Sequence, residues 1–369
     1  MTQLKAISLF SGMGGDSLGI TQAGLNVIAY NEFNSTAIQS HSLNFPESTL
    51  IEDLRHKKKQ DQTNITLIED AVFEKYKGTI DLIFAGHPCQ GFSNGGKKLP
   101  DDPRNTLFRE FSRAVRLISP KYFIGENVDG LLTRKTENGQ LFMEVIIKEF
   151  EALGYTISYK VLNVVCYGVP QLRKRLVYVG VANTLNRIYS FPKPINDGKT
   201  NLPNLVNIVK FSMVGALRIL PEDFDMTSIV ESCIVSDLNN DEDEKEGTIH
   251  PYLYLKAKTR DSEYKGKVFK SLLSFGKRDS PIHAEIINIL KPCKTIICSY
   301  DHQPRLYVPL RNKRGYFIRC LLPDELKQIQ GFPSNFKISG NKKEQVKQIG
   351  NAVPPPLITH IVKHLIKQE

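Results

Sequence analysis

Two reactive side chains follow predicted strands in the first half of the chain. Cys89 lies in the segment Gly86-His87-Pro88-Cys89-Gln90, directly after a strand predicted over Asp81–Ala85, and Glu126 follows an apolar run at Tyr122–Ile124. If these strands are parallel neighbours, their carboxyl ends place the thiol and the carboxyl at the same edge of a sheet. A thiolate can attack an electron-poor carbon, and a carboxyl can protonate or hydrogen-bond the ring under attack. The pair therefore predicts covalent catalysis on an unsaturated heterocycle.

The elements that must position this pair alternate along the first half of the chain. Apolar runs typical of buried strands occur at Ala6–Phe10, Val27–Tyr30, Thr49–Ile51, Leu82–Phe84, Tyr122–Ile124, Ile157–Val165 and Leu176–Val181. Helical spacing occurs at Asp16–Ala23, Ser35–Leu43, Thr106–Ile118 and Leu141–Leu153. Strands separated by helices predict an α/β fold with a doubly wound, Rossmann-like, mostly parallel sheet. The alternation breaks at Phe191-Pro192-Lys193-Pro194, which indicates a second, smaller and irregular domain beyond it.

Composition limits the function classes. The chain has 369 residues and a net charge of +10. The segment from Pro251 to Arg319 holds fifteen Lys/Arg and five Asp/Glu, so it carries the whole excess. Such a basic segment suits a polyanion such as nucleic acid, although a solvated surface gives the same count. The six cysteines show no zinc-like spacing, and no run approaches the roughly 20 apolar residues of a membrane span. We therefore expect an intracellular, cytoplasmic protein with no metal and no membrane contact.

A glycine turn and two acidic residues suggest a nucleoside pocket. The first turn reads Phe10-Ser11-Gly12-Met13-Gly14-Gly15, but Ser17 stands where a dinucleotide fingerprint needs its third glycine. The turn therefore fits a nucleoside without a pyrophosphate better than NAD, and a plain structural turn is the alternative. Glu32 and Asp53 end the second and third strands, where acids accept hydrogen bonds from ribose or adenine. Each acid alone could equally be a surface residue.

Six motifs together resemble one enzyme family. They are Phe10-Ser11-Gly12-Met13-Gly14-Gly15, Gly86-His87-Pro88-Cys89-Gln90, Gly125-Glu126-Asn127-Val128, Gln171-Leu172-Arg173-Lys174-Arg175, Gln330-Gly331-Phe332-Pro333 and Gln348-Ile349-Gly350-Asn351-Ala352-Val353-Pro354. In this order and spacing the chain resembles the DNA cytosine-5 methyltransferases over residues 4 to about 366. The resemblance is interrupted near 190–290, where that family holds its variable target-recognition domain. His87 departs from the small or aromatic residue more often found before Pro-Cys, and we interpret it as a tolerated variation.

The resemblance implies roles for the reactive residues. Cys89 would add to carbon 6 of cytosine, and carbon 5 would then accept a methyl group from S-adenosylmethionine. Glu126 would hydrogen-bond or protonate ring nitrogen 3. Arg175, and more loosely Arg173, would hold the cytosine oxygen and orient Glu126. A cytosine inside a duplex must be flipped out of the stack to reach the thiol.

The resemblance also implies binding residues and partners. S-adenosylmethionine would contact Phe10, Ser11, Gly12, Gly14, Gly15, Glu32, Phe33, Asp53, Leu54, Pro88, Leu107, Asn351, Ala352 and Val353. Double-stranded DNA carrying a specific cytosine-containing site would contact Gln90, Ser93, Lys97, Lys98, Lys256, Lys258 and Arg260. The expected catalytic domain covers residues 1–190 plus 340–369, and the expected target-recognition domain covers 191–339. We expect a monomer that protects DNA from a cognate restriction endonuclease.

Three other functions share some of these sequence features. The tRNA-methylating branch of the same superfamily favours a different sequence after Pro-Cys-Gln than Gly91-Phe92-Ser93. A catalytically inactive DNA-binding homologue is disfavoured by the intact Cys89, Glu126 and Arg175. A nicotinamide oxidoreductase is disfavoured by the missing third glycine.

Overall fold

The computed structural model describes residues 3–88, 107–136, 138–220, 226, 229–243, 284–301 and 304–367, with the backbone of four two-residue strands between 253 and 274. The helices of this part of the chain are α1 Gly15–Gln22, α2 Ser35–Asn44, α3 Lys59–Gln62, α4 Asp70–Glu74, α5 Phe108–Ile118, α6 Phe142–Ala152, α7 Pro323–Ile329, α8 Lys342–Asn351 and α9 Pro355–Lys367. The strands are β1 Lys5–Leu9, β2 Asn26–Asn31, β3 Thr49–Leu50, β4 Leu82–Ala85, β5 Tyr122–Asn127, β6 Tyr155–Asn163, β7 Gln171–Leu172, β8 Lys174–Ala182, β9 Leu217–Ile219, β10 Val235–Ser236, β11 Leu253–Tyr254, β12 Glu263–Tyr264, β13 Lys267–Val268, β14 Leu273–Ser274, β15 Glu285–Ile286, β16 Cys293–Lys294, β17 Leu306–Asn312 and β18 Gly315–Cys320.

The large sheet confirms the predicted doubly wound α/β fold. Its strand order is β3-β2-β1-β4-β5-β8-β6, and the pairs from β3 to β5 are all parallel. β8 runs antiparallel to both β5 and β6. Only ten residues, 164–173, separate β6 from β8, which is too short for the crossover that parallel neighbours need. Because β1 to β5 are parallel, their carboxyl ends lie at one edge of the sheet, where a ligand site is expected.

Helices cover both faces of this sheet. On one face, the Phe111 ring lies 5.4 Å from the Phe123 ring and 5.2 Å from the Phe150 ring, centroid to centroid, which joins α5 and α6 to β5. On the other face, α9 packs on α1 because Gly19 has no side chain. A β-carbon there would lie 2.7 Å from Cβ of Ile358. The C-terminal helix therefore packs on the first helix at this face of the sheet.

A second, smaller sheet follows the large one along the chain. Its strand order is β10-β17-β18-β9, with β15 also paired to β17. A buried ion pair joins Arg319 of β18 to Glu325 of α7, with Nη2 and Oε1 2.7 Å apart. This sheet and its irregular connections fit the expected smaller domain, while the exact domain bounds stay a prediction. In the described ranges, we find no helix long and apolar enough to cross a membrane.

Candidate active site

The glycine turn after β1 has a backbone conformation that residues other than glycine rarely adopt. Phe10, Gly12 and Gly14 have φ angles of 55°, 55° and 94°, in the left-handed region that glycine tolerates best. A β-carbon on Gly14 would lie 2.6 Å from the Phe45 ring, so a larger residue would clash there. Gly15 packs directly against the backbone carbonyl of Val353. The turn therefore brings the end of β1 against the segment that precedes α9.

Glu32 receives the backbone of this turn. Its Oε2 accepts the N–H of Gly12 at 2.8 Å, and its Oε1 accepts the N–H groups of Phe33 and Asn34, each at 2.8 Å. Burial raises the pKa of this carboxyl above its usual value of 4.5. A carboxylate oxygen has two acceptor sites, so the carboxylate keeps capacity for ribose hydroxyls.

Groups suited to a nucleoside follow β1, β2 and β3, the three neighbouring strands at this edge. Phe33 and Leu54 are 47% and 72% exposed at the ends of β2 and β3. The Ser11 hydroxyl is buried, and it has no hydrogen-bond partner among the described residues. An unsatisfied buried hydroxyl beside exposed apolar side chains fits a ligand with both an aromatic ring and polar groups. The residues present therefore fit the adenosine part of S-adenosylmethionine.

Asp53 lies at this edge with its carboxylate already paired. Oδ1 accepts a hydrogen bond from Nε of Arg55 at 2.8 Å, and Oδ2 also contacts that guanidinium. This partner holds the pKa of Asp53 below its usual range. No pattern in the sequence predicts the Arg55 pairing, and an adenine amino group would have to share the carboxylate with Arg55.

The remaining predicted cofactor residues come from three segments. Leu107 directly precedes α5 and packs against the core, and Pro88 is half-buried just after β4. Asn351 is exposed at the end of α8, while Ala352 and Val353 are buried beside it. These residues thus lie just after β4, just before α5 and at the end of α8.

A second group of residues forms at the ends of β4, β5 and β8. Nε of Arg175 lies 2.7 Å from Oε1 of Glu126, and both side chains are largely buried. Burial lowers the pKa of Arg175 from its usual value, and the neighbouring Glu126 opposes this shift. A β-carbon placed on Gly86 would lie 3.8 Å from Oε2 of Glu126 and 3.6 Å from Cγ2 of Val353. The carboxylate therefore borders the segment that leads into the predicted cysteine loop.

His87 and Asn127 connect the same strand ends. Nδ2 of Asn127 donates to the carbonyl oxygen of His87 at 3.1 Å, and Nε2 of His87 lies 2.8 Å from the Tyr178 hydroxyl. His87 is 3% exposed, and burial lowers its pKa to about 4. The polar atoms of this group are thus held in the interior by hydrogen bonds between strands.

Arg173 binds the backbone of two other segments of the chain. Its guanidinium donates to the carbonyl oxygens of Ile296 at 3.1 Å, Gly350 at 3.1 Å and Ala352 at 3.3 Å. Among the hydrogen bonds of the described residues, Arg173 makes none to Glu126. The Nη atoms of this buried guanidinium tie together the segments that contain Ile296 and Ala352, while its Nε has no hydrogen-bond partner among the described residues. The role expected for Arg173 at the target base stays a prediction.

Two glutamines link the same segments. Nε2 of Gln171 donates to Oε1 of Gln330 at 2.6 Å, and Nε2 of Gln330 donates to the Ala352 carbonyl at 2.6 Å. Oε1 of Gln171 accepts the N–H of Ile296 at 3.1 Å. The motif that contains Arg173 and Arg175 therefore makes contacts in two places. Arg175 pairs with the Glu126 carboxylate, and Arg173 binds carbonyl oxygens of the segment before α9.

Several predicted site residues lie outside the described residues. They are Cys89, Gln90, Ser93, Lys97, Lys98, Lys256, Lys258 and Arg260. Among the residues that are described, no group of three or more His, Cys, Asp or Glu side chains could hold a metal ion.

Comparison with known proteins identifies the family. The model of the C-5 cytosine-specific DNA methylases matches residues 4–367. This chain belongs to that family. The type II methyltransferase M1.HphI of Haemophilus parahaemolyticus is 30% identical over 99% of this DNA methylase and 87% of its own length. M.NgoPII of Neisseria gonorrhoeae is also 30% identical, over 99% of this chain and 96% of its own.

Solved structures show the same fold. The Dnmt2 methyltransferase of S. pombe superposes with a TM-score of 0.62 over 99% of both chains, at 14% identity. A prophage-encoded methyltransferase from E. coli gives a TM-score of 0.61 over 99% of both chains, at 24% identity. These likenesses confirm the α/β methyltransferase fold of this cytosine-5 DNA methylase.

Sequence reasoning missed the partners that hold the site together. Tyr178 sits within an apolar strand, where an aromatic residue is usually plain core. In the β5–β8 register it lies opposite Gly125, and a glycine inside a strand often marks a close approach of another group. That glycine was the available signal in the sequence of this methylase.

Proposed function

We propose that this DNA cytosine-5 methyltransferase acts through a covalent bond between Cys89 and its target base. The observation that carries the proposal is the Glu126–Arg175 ion pair of 2.7 Å at the carboxyl end of β5. It lies beside the Gly86–Pro88 segment, which leads directly to Cys89. A carboxyl oriented by a guanidinium can donate to a ring nitrogen while its geometry stays fixed.

The chemistry then follows from the reactivity of cytosine. The Cys89 thiolate adds to carbon 6, and the electron pair of the 5,6 double bond moves to carbon 5 and into the ring. Glu126 stabilises the charge that develops on ring nitrogen 3. Carbon 5 can then form a bond to an electrophilic methyl group. A base removes the proton from carbon 5, and the double bond re-forms as the thiolate leaves.

S-adenosylmethionine fits the edge formed by β1, β2 and β3, and when bound it supplies a methyl group on a sulfonium ion. Glu32 would accept hydrogen bonds from the ribose, and the exposed Phe33 would pack on the adenine. The glycine turn lets the ligand approach the backbone closely. Asn351 and Val353 would border the other side of the ligand.

Double-stranded DNA is the proposed substrate, and the target cytosine would be flipped out of the duplex. We propose residues 1–190 with 340–369 as the catalytic domain and residues 191–339 as the target-recognition domain. Lys256, Lys258 and Arg260 belong to the basic segment that would neutralise phosphates, which positions a protein without specifying sequence. Since relatives at 30% identity are named type II methyltransferases, we also propose that this methylation protects DNA from a cognate restriction endonuclease.

The first prediction tests the covalent step. Cys89→Ala should abolish methyl transfer to DNA while specific DNA binding remains measurable, because the thiol makes a bond that alanine cannot make. DNA carrying 5-fluorocytosine should form an adduct with the native protein, since fluorine cannot leave from carbon 5 as a proton. Mass spectrometry should locate that adduct on the Cys89 peptide.

The controls test the assignment of the nucleophile and the assignment of the substrate independently. Cys233→Ala changes a thiol just before β10, outside the predicted site residues, and should leave the rate unchanged. Methylation that persists in Cys89→Ala would overturn the nucleophile assignment. Methylation of tRNA in preference to matched duplex DNA would overturn the substrate assignment. Sequencing of 5-methylcytosine in DNA from expressing cells would give the recognition sequence.

A further inference from the structure

His87 is the residue at which the chain departs from the usual residues before Pro-Cys, and the structure gives it specific partners. It follows β4 directly and is 3% exposed. Its ring reaches the Tyr178 hydroxyl, which belongs to β8. In the strand order β4-β5-β8, this contact must pass over β5.

Gly125 leaves room for the Tyr178 side chain to cross β5, because it has no side chain of its own. It pairs with Tyr178 across the β5–β8 ladder, and a β-carbon on Gly125 would overlap the tyrosine ring. The Tyr178 ring therefore lies across β5 at the one position without a side chain. Since successive residues of a strand point to opposite faces, the ring supports β5 from the face opposite Glu126.

The hydrogen bonds fix the tautomer of His87. The N–H of Val128 donates to Oδ1 of Asn127 at 2.8 Å, so the amide nitrogen of Asn127 faces His87. That nitrogen lies 3.3 Å from Nδ1 of His87, which must accept. Nε2 then carries the proton and donates to Tyr178 at 2.8 Å. A neutral ring agrees with the pKa of about 4 that burial gives His87.

We propose that His87 is a positioning residue for methyl transfer. Through Tyr178 and Asn127 it holds the ends of β4 and β5 in one arrangement, and this keeps the Glu126 carboxylate in place beside the Gly86–Pro88 segment. The proposal rests on the proposed function, because it concerns the geometry of the same reaction. It replaces the interpretation of His87 as a tolerated variation with a role in the rate of the chemical step.

The second prediction tests this role with four variants. They are His87→Phe, His87→Gln, Tyr178→Phe and the control Tyr159→Phe, whose residue lies opposite Tyr178 on β6 and is 48% exposed. Single-turnover methyl transfer is measured at saturating S-adenosylmethionine and DNA, together with the affinity for each. His87→Phe and Tyr178→Phe should slow transfer roughly tenfold to a hundredfold, because small misplacements of reacting groups have large rate effects.

The pattern among the variants separates positioning from folding. Both affinities should change by less than about threefold. A fifth variant that combines His87→Phe with Tyr178→Phe should be no slower than His87→Phe alone, as expected for residues that act as a unit. His87→Gln keeps a donor for the tyrosine and should recover most of the rate. Tyr159→Phe should transfer at the native rate.

Each contrary result has a distinct meaning. A native single-turnover rate in His87→Phe and Tyr178→Phe would overturn the positioning role. The same conclusion follows if these variants lose only thermal stability or ligand affinity. Tyr178→Phe removes one oxygen atom and keeps the ring, so it serves as the test if His87→Phe does not fold. Absence of DNA methylation by the native protein would instead overturn the proposed function.

Discussion

Two parts of the same sheet edge hold their carboxylates in different ways. At the ends of β1 and β2, Glu32 is held by three backbone N–H groups, and burial raises its pKa. At the ends of β5 and β8, Glu126 is held by the guanidinium of Arg175. Backbone amides offer fixed dipoles to a carboxylate, whereas a guanidinium offers a full charge. The first arrangement suits the binding of a neutral ribose, and the second suits a carboxyl that must respond to charge developing on a base.

The comparison predicts that loss of the Glu126 carboxyl at the end of β5 affects the rate of methyl transfer most. Glu126→Gln keeps the size of the side chain but removes its acidity and its ion pair with Arg175. We expect the single-turnover rate to fall by roughly a hundredfold to a thousandfold, as found when a group that stabilises transition-state charge is removed. Radioactive methyl transfer to duplex DNA measures this rate, and DNA affinity should change little.

A matched ion pair on α5 provides the control. Nη2 of Arg113 lies 2.7 Å from Oε2 of Glu110, and Arg113 also pairs with Asp70 of α4, so this ion pair is separate from the Glu126–Arg175 pair. Glu110→Gln should leave the rate unchanged and affect stability alone. If Glu126→Gln retained more than about a fifth of the native rate, its carboxyl would not serve as a charge-stabilising group.

Glu32→Gln tests the other half of the comparison and should act on binding. Its amide would bring a donor toward the N–H groups that the carboxylate accepts, and it would lose one strong acceptor for a ribose. Hydrogen bonds to charged groups contribute about 1.5–3 kcal/mol, so affinity for S-adenosylmethionine should fall by roughly tenfold to a hundredfold. Isothermal titration measures this, with the exposed Glu47→Gln as control.

The pH dependence sharpens that test. Since burial raises the pKa of Glu32, its carboxylate takes up a proton at a higher pH than usual. Protonation removes an acceptor, so native affinity for the cofactor should fall as the pH falls through this raised pKa. The affinity of Glu32→Gln should be flat over the same range. A native affinity independent of acidic pH would separate Glu32 from cofactor binding.

The sequence predicted the positions at strand ends better than the partners across strands. Glu32, Asp53 and Glu126 were predictable because each follows an apolar run, and parallel strands share one ligand-binding edge. The Arg55 partner of Asp53 lies only two residues away, yet nothing in its pattern separates it from a solvated arginine. Ends of elements are local properties, whereas side-chain pairing depends on packing.

The two arginines of one motif also show that side-chain partners are hard to predict from sequence. Arg173 and Arg175 are two residues apart, and sequence reasoning assigned both to the target base. The structure brings Arg175 to Glu126 and Arg173 to carbonyl oxygens of Ile296 and Gly350, which are 123 and 177 residues distant along the chain. The return of such distant segments is decided by the tertiary fold, so motif spacing alone could not predict the different contacts of the two arginines.

The smallest predicted effect concerns a second buried carboxyl near the glycine turn. Asp16 is 2% exposed in the first turn of α1 and accepts a hydrogen bond from the Ser8 hydroxyl. Burial raises its pKa from 3.8 to about 7, and the hydrogen bond from Ser8 partly opposes this. Because the folded state binds this proton more tightly than the unfolded state, the stability it contributes is fully present below about pH 4 and is lost progressively as pH rises from there through about 7.

Asp16→Asn should remove this pH dependence. For the native protein, the Asp16 contribution to the free energy of unfolding should fall by about 1 kcal/mol between about pH 6 and pH 8. Buried His41 and His87, whose pKa values are lowered, change stability in the opposite direction, so the informative quantity is the difference between native and variant. Urea unfolding across this range measures it, with the exposed Asp241→Asn as control. Parallel curves for the native protein and Asp16→Asn would show that Asp16 is ionised throughout. Its environment would then resemble the charge-paired end of β5 rather than the buried end of β2.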